Sequence, residues 1–207
     1  MQTKKIIWII TGCILFSLLA GCGYLFFMKH KFAPGIKNLS KQHIGIIYCS
    51  YNDSISDIVN IIGEKLQADK IKLEPAIAYS KDSKEFTARV KQENANLDKV
   101  ILKNDNINVK NYNLLIFGTP VIEDKPCPAI QKFVLDNKDS MIQKPYSMLI
   151  LYNENENPKN TVQFFVYKLY HSIRKPSFIT RMKSKDQLDY EIKLWFDQMQ
   201  FTREELK

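Results

Sequence analysis

Five short apolar runs, each followed by a segment of helical periodicity, constrain this chain more than any other feature. Ile44-Gly-Ile-Ile-Tyr-Cys49, Ile71-Lys-Leu-Glu74, Leu114–Phe117, Tyr146–Tyr152 and Phe178–Met182 read as strands. Ser54–Leu66 carries Ile55, Ile58, Val59, Ile62 and Leu66 at intervals of three and four, the stripe of a helix packed on a core. Phe86–Leu97, the segment opening at Ala129, Thr161–Ile173 and the stretch striped by Leu188, Ile192, Trp195 and Met199 repeat the pattern. Strands that alternate with helices pair in parallel through right-handed crossovers. The expected fold is α/β: a three-layer α/β/α sandwich around a five-stranded parallel sheet.

The run Asn113-Leu-Leu-Ile-Phe-Gly-Thr-Pro-Val-Ile122 places a candidate site within that fold. Its apolar residues break at Gly118, a Thr-Pro turn is expected next, and a helix opens after Pro126-Cys-Pro128. Ligands of open α/β sheets sit beyond the carboxyl ends of their strands, so this break is where a small molecule would bind.

Ahead of the body, Ile6–Met28 is a charge-free run of 23 residues. At 1.5 Å per residue a helix of that length covers the ~30 Å hydrocarbon layer. It exceeds the apolar core of an export signal, which favours an uncleaved, single-span anchor. Trp8 and Tyr24 would lie near its two interfaces. A rival reading sits inside it, because Leu19-Ala20-Gly21-Cys22 resembles a bacterial lipobox. Lysines flank both ends, so charge does not set the orientation. The very short amino-terminal tail favours an extracytoplasmic domain. The chain thus divides into residues 1–28 (anchor or lipoprotein-type signal), a Lys- and Pro-Gly-bearing linker over 29–42, and one domain over 43–203.

The formal charge is +8, from 30 Lys and Arg against 22 Asp and Glu. The basic residues are scattered among acids, which argues against nucleic acid and fits a solvated surface or attraction to anionic lipid. His30, His43 and His171 have no partners at ligand spacing, so neither a metal site nor a catalytic triad is expected. Cys49 and Cys127 read as buried packing residues, one at the end of the first apolar run and one shortly after the third; a disulfide between them would need Cα atoms within about 7 Å. The aromatic helix carrying Phe164, Phe165, Tyr167 and Tyr170 reads as core plus surface, with a face that could dock on a membrane or partner.

Across the body, this order of elements resembles the flavodoxins. Gly118-Thr-Pro120 after strand three is the more specific match, and the Ala78–Tyr112 connection is similar to that of a bacterial flavodoxin subgroup with an extended segment between strands two and three. The resemblance implies strand order 2-1-3-4-5 and FMN bound above strands one and three. It places Ser50, Asn52, Ser54 and Ile55 in the phosphate loop. Thr119, Pro120, Val121 and Ile122 follow in the strand-three loop, with Tyr152 and Asn153 in the strand-four loop. Ile122 and Tyr152 would flank the ring. No residue is implied to act as acid or base.

The loops depart from the family pattern in charge. Asp53 replaces a glycine and Ile55 a threonine in the first loop, and Glu123, Asp124, Glu154 and Glu156 join Asp53 at the same edge. A carboxylate ~5 Å from a phosphate dianion opposes binding by on the order of 1–4 kcal/mol. The function implied is that of a membrane-anchored, FMN-binding flavodoxin-like protein, a flavin-dependent electron carrier or oxidoreductase with a redox partner protein. The alternative is a cofactor-free flavodoxin-like interaction module. An FMN-dependent reductase lacks support, since no dinucleotide fingerprint is present.

Overall fold

Strand β1, Ile44–Tyr48, is buried along its whole length, as a strand covered on both faces must be. It belongs to a computed structural model that describes residues 32–33, 42–51, 53–80, 82–181, 185–199 and 201–202, the side chains of 32, 33, 53, 54, 83, 185, 186, 201 and 202 apart. The apolar run 6–28, the lipobox at Cys22, Asn52 and Met182 lie outside the described residues, as does most of the linker. Among the described residues no helix is long and apolar enough to cross a membrane.

β1 pairs in parallel with β2, Asp69–Lys72, on one side and with β3, Leu114–Ile122, on the other. β3 continues into β4, Pro145–Tyr152, and β4 into β5, Phe178–Arg181, both in parallel register. The order is 2-1-3-4-5, as expected. A two-residue strand, Ile173–Arg174, pairs with Pro145–Tyr146 at the start of β4. Phe32–Ala33, within the expected linker, pairs antiparallel with Phe201–Thr202.

Five helices complete the layers: α1 Asp53–Leu66, α2 Ser83–Ala95, α3 Pro128–Asn137, α4 Lys159–Lys168 and α5 Lys185–Gln198. The strand's period of two sorts β1 between two cores. Ile44, Ile46 and Tyr48 join Ile55, Val59 and Ile62 of α1 and Ile192, Trp195 and Phe196 of α5. Ile47 and Cys49 join Val90 of α2, Ile130 and Phe133 of α3 and Phe165 of α4. Phe165 stacks on Phe117 at 5.5 Å, while Phe164 meets Phe165 edge-on and stays half-buried.

Three elements differ from expectation. β3 does not stop at Gly118. It runs through Thr119 and Pro120 to Ile122 and then reverses, so that Ile122 pairs with Lys125 and Val121 with Pro126. A proline is tolerated there because of where β1 ends. The Cys49 N–H donates to the Gly118 carbonyl at 3.0 Å, which puts Gly118, and therefore Pro120, on the β1 side. β1 has finished by that level, so the N–H that Pro120 lacks would have had no strand partner. β2 spans Asp69–Lys72 rather than 71–74, since an exposed edge strand carries little apolar signal. α4 ends at Lys168, where the Leu169 N–H closes on the Phe165 carbonyl; the chain then turns to form Ile173–Arg174.

Cys49 and Cys127 form a disulfide, with Cα atoms 6.4 Å apart across 78 residues of sequence. Both are buried, at 1% and 0% exposure.

Candidate functional site at the carboxyl edge

The sheet order reverses beside β1, and the loops after β1, β3 and β4 meet at that point. The first loop leaves β1 as Cys49-Ser50-Tyr51. The Tyr51 ring rests 4.5 Å from Phe86 of α2, and Phe86 meets Tyr79 edge-on at 5.4 Å. The Arg89 guanidinium lies 4.5 Å over the Tyr79 ring, and the Tyr79 hydroxyl donates to Glu93 at 2.8 Å. Arg89 also donates to Glu93 at 2.8 Å, so the buried carboxylate is satisfied twice. Burial, with the Glu156 carboxylate adding to it, pushes the Tyr51 phenol above its ordinary range.

The third loop is a two-residue hairpin turn. Glu123 and Asp124 both hold positive φ, 53° and 59°, the pattern of a type I′ turn. The Asp124 carboxylate accepts the Asn157 N–H at 2.7 Å, joining the third loop to the fourth. Glu123 lies 3.6 Å from Lys91 of α2. In the fourth loop the Asn153 N–H donates to Glu156 at 2.8 Å. Tyr152 is half-buried beneath the Arg181 guanidinium, 5.4 Å from the ring centre.

The sequence-expected residues separate into rim and floor. Ser50, Tyr152 and Asn153 stand at the rim. Thr119, Pro120, Val121 and Ile122 are buried beneath it as strand and hairpin. Ile55 is fully buried against α1's face of the sheet and lines no opening. Asn52 and the Ser54 side chain lie outside the described residues. The Thr119 hydroxyl is already engaged: it donates to the Pro120 carbonyl and accepts the Cys127 N–H, each at 2.9 Å.

Sequence reasoning missed the ladder of Tyr51, Phe86, Tyr79 and Arg89. Its signal was present in the Arg89/Glu93 spacing of four and in Phe86 lying in the first turn of a helix that follows Tyr79. Tyr51 and Tyr79 of the ladder wall a cleft of about 290 Å³ between the first loop and the end of β2, lined also by Ser50, Lys72, Leu73 and Glu74. Tyr51 thus divides the edge. Lys72, Lys103 and Glu74, the last two 4.0 Å apart, lie on the cleft side, whereas Glu123, Asp124, Glu154 and Glu156 lie on the loop-three and loop-four side.

No protein-family model and no curated protein matches this chain. Among solved structures it is similar to a flavoprotein of Lactobacillus acidophilus NCFM in complex with FMN, at 17% identity and TM-score 0.60, over 74% of this chain and 98% of that one. It is similar to a protein assigned as a flavoprotein from Bacteroides eggerthii DSM 20697, at 15% identity and TM-score 0.62, over 74% and 97%. A third, from Bacteroides uniformis ATCC 8492 and likewise assigned, gives 13% identity and TM-score 0.62, over 73% and 97%. With its strand order, two-sided core and these neighbours, the domain has the flavodoxin-like fold.

Proposed function

We propose that this chain is a membrane-anchored flavodoxin-like protein that holds FMN at the carboxyl edge and passes electrons to or from a membrane partner. The observation that carries the reading is the convergence of the first, third and fourth loops at the reversal of strand order, in a fold shared with a protein solved in complex with FMN. The amino terminus of α1, beginning at Asp53, presents N–H groups that have no partner within the helix and suit a phosphate, and the Ser50 hydroxyl is close by in the chain. Pro120, Val121 and Ile122 supply a buried apolar floor, and Tyr51 and Tyr152 are the aromatic side chains at this rim. FMN, when bound, supplies one- and two-electron chemistry, while the protein supplies position and electrostatics. The acidic rim opposes a phosphate dianion, so the affinity expected is lower than a neutral rim would give. Anchoring is supported by the 23-residue apolar run. An extracytoplasmic domain is supported by the Cys49–Cys127 disulfide, a bond that persists in oxidising compartments.

A second reading, a cofactor-free interaction module, is favoured by the engaged Thr119 hydroxyl and the acidic rim. One experiment separates the two. The full chain is purified in detergent and titrated with FMN, following quenching of flavin fluorescence, beside a Glu123→Gln/Glu156→Gln variant. Saturable, stoichiometric quenching that tightens in the variant supports FMN binding. Flavin fluorescence unchanged by both proteins would leave the interaction module as the reading.

A further inference from the structure

Every strand of a parallel sheet begins at one edge, and in this domain the chain also arrives there, at His43 before β1. The helices return to that same edge, so the segments after α3 and α4 lie beside it. They form one surface. The Gln143 N–H donates to the His171 carbonyl at 2.9 Å, the Ser172 hydroxyl to the Met141 carbonyl at 2.7 Å, and the Ile173 N–H to the Lys144 carbonyl at 3.1 Å.

That surface is apolar at its centre and basic at its border. Ile142 is 53% exposed, Tyr170 71% and Ile173 37%. Lys138, Lys168 and Arg174 are exposed and make no ion pair among the described residues. Residues 138–144 and 167–174 together contain a single acid, Asp139. The chain leading into this edge continues the charge: between Met28 and His43 it carries Lys29, Lys31, Lys37 and Lys41 and no acid. Those 14 residues lead directly to His43, which makes the amino edge the part of the domain nearest in the chain to residues 6–28.

We propose that the patch of Ile142, Tyr170 and Ile173, bordered by Lys138, Lys168 and Arg174, docks on the anionic headgroup surface of the membrane that holds residues 6–28. The acidic carboxyl-edge mouth then faces away from the bilayer, open to the water-exposed part of a membrane-borne partner. The inference rests on the anchoring part of the function proposed above. Tyrosine suits this position because its ring takes the apolar side of the interface and its hydroxyl the wet side. Unpaired lysine and arginine add an attraction to anionic lipid that falls off within a Debye length and weakens with salt.

The test is hydrogen exchange on the full chain reconstituted in nanodiscs of phosphatidylcholine alone and of phosphatidylcholine with phosphatidylglycerol. Exchange over 138–143 and 167–174 should slow by roughly tenfold in the anionic discs, with 121–126 and 152–157 unchanged. A Lys138→Glu/Lys168→Glu/Arg174→Glu variant should lose that protection, and a Lys125→Glu/Lys159→Glu control at the other edge should keep it. Equal exchange in both disc types, or equal loss in both variants, overturns docking while leaving anchoring intact. Protection that rises with protein concentration in neutral discs marks a second copy as the occupant and also overturns it. A chain washed from the membrane by alkaline carbonate overturns anchoring and docking together.

Discussion

Cys49 and Cys127 are joined across the base of the carboxyl-edge mouth, binding the end of β1 to the residue that precedes α3, 78 residues later. Cross-linking removes loop-closure entropy from the unfolded chain, more for a longer loop. Reduction, or Cys49→Ser with Cys127→Ser, should destabilise the domain by about 2–4 kcal/mol. Urea unfolding with and without reductant measures it. A midpoint unmoved by reductant would show that the bond contributes nothing to the fold.

The Thr119 hydroxyl supports that junction from below, since it accepts the N–H of Cys127 itself. Thr119→Val keeps the shape but leaves that buried N–H unpaired, at about 1–3 kcal/mol. Thr119→Ser should restore most of the loss, because only the hydroxyl matters to the bond. Unfolding of the three proteins side by side is the check; equal stability of all three would refute the assignment.

Gly118 is set by proximity rather than by backbone conformation. A Cβ there would lie 2.7 Å from the Tyr48 Cβ, across the β1–β3 pair. Gly118→Ala should force β1 and β3 apart and lower stability by about 1–3 kcal/mol, read as a fall in urea midpoint. The cost should drop when Tyr48→Gly is added, since the clash is between those two positions. Additive losses would place the strain elsewhere.

This glycine also explains what the sequence could and could not convey. β1, β4 and the apolar core of β3 were legible because strands buried on both faces read as unbroken apolar runs. Beyond Phe117 the same logic failed: Gly-Thr-Pro carries the signature of a turn, yet the chain stays extended because β1 ends at that level. Whether a proline interrupts a ladder depends on which neighbour its missing N–H would face, and a single sequence does not contain that. β2 slipped by two residues for a related reason, its side chains being largely exposed. At the site, the three loops and their acids were legible. The engagement of Thr119 and the Tyr51–Phe86 contact were not, because both are tertiary.

Glu123 occupies a conformation that suits it poorly. In a type I′ turn both central residues take positive φ, for which asparagine and glycine are the preferred residues. Its contact with Lys91 is exposed and contributes little. Glu123→Asn should therefore stabilise the domain by roughly 0.5–1 kcal/mol while removing one rim charge. Thermal unfolding tests the first effect and FMN titration the second. A destabilised Glu123→Asn would mean that the Lys91 pair outweighs the turn strain.

Tyr79 sets a limit on alkaline stability. Burial, then the charge of Glu93 and the hydrogen bond to it, push its phenol far above the ordinary value of 10.0, with the Arg89 charge opposing only in part. In the unfolded chain this phenol ionises near pH 10, whereas in the folded domain it keeps its proton. The native state then binds more protons than the unfolded state, so stability falls as pH rises above about 10 and is fully present below it. Tyr51, Tyr112 and Tyr146 are shifted in the same direction and add to the slope. Tyr79→Phe removes one such group. Between about pH 10 and 11 its stability should fall less steeply than that of the wild type, by up to about 1.4 kcal/mol per pH unit. The slope is the readout, because the lost hydrogen bond to Glu93 lowers stability at every pH alike. Urea midpoints that decline in parallel for the two proteins would show that Tyr79 ionises as freely in the fold as outside it.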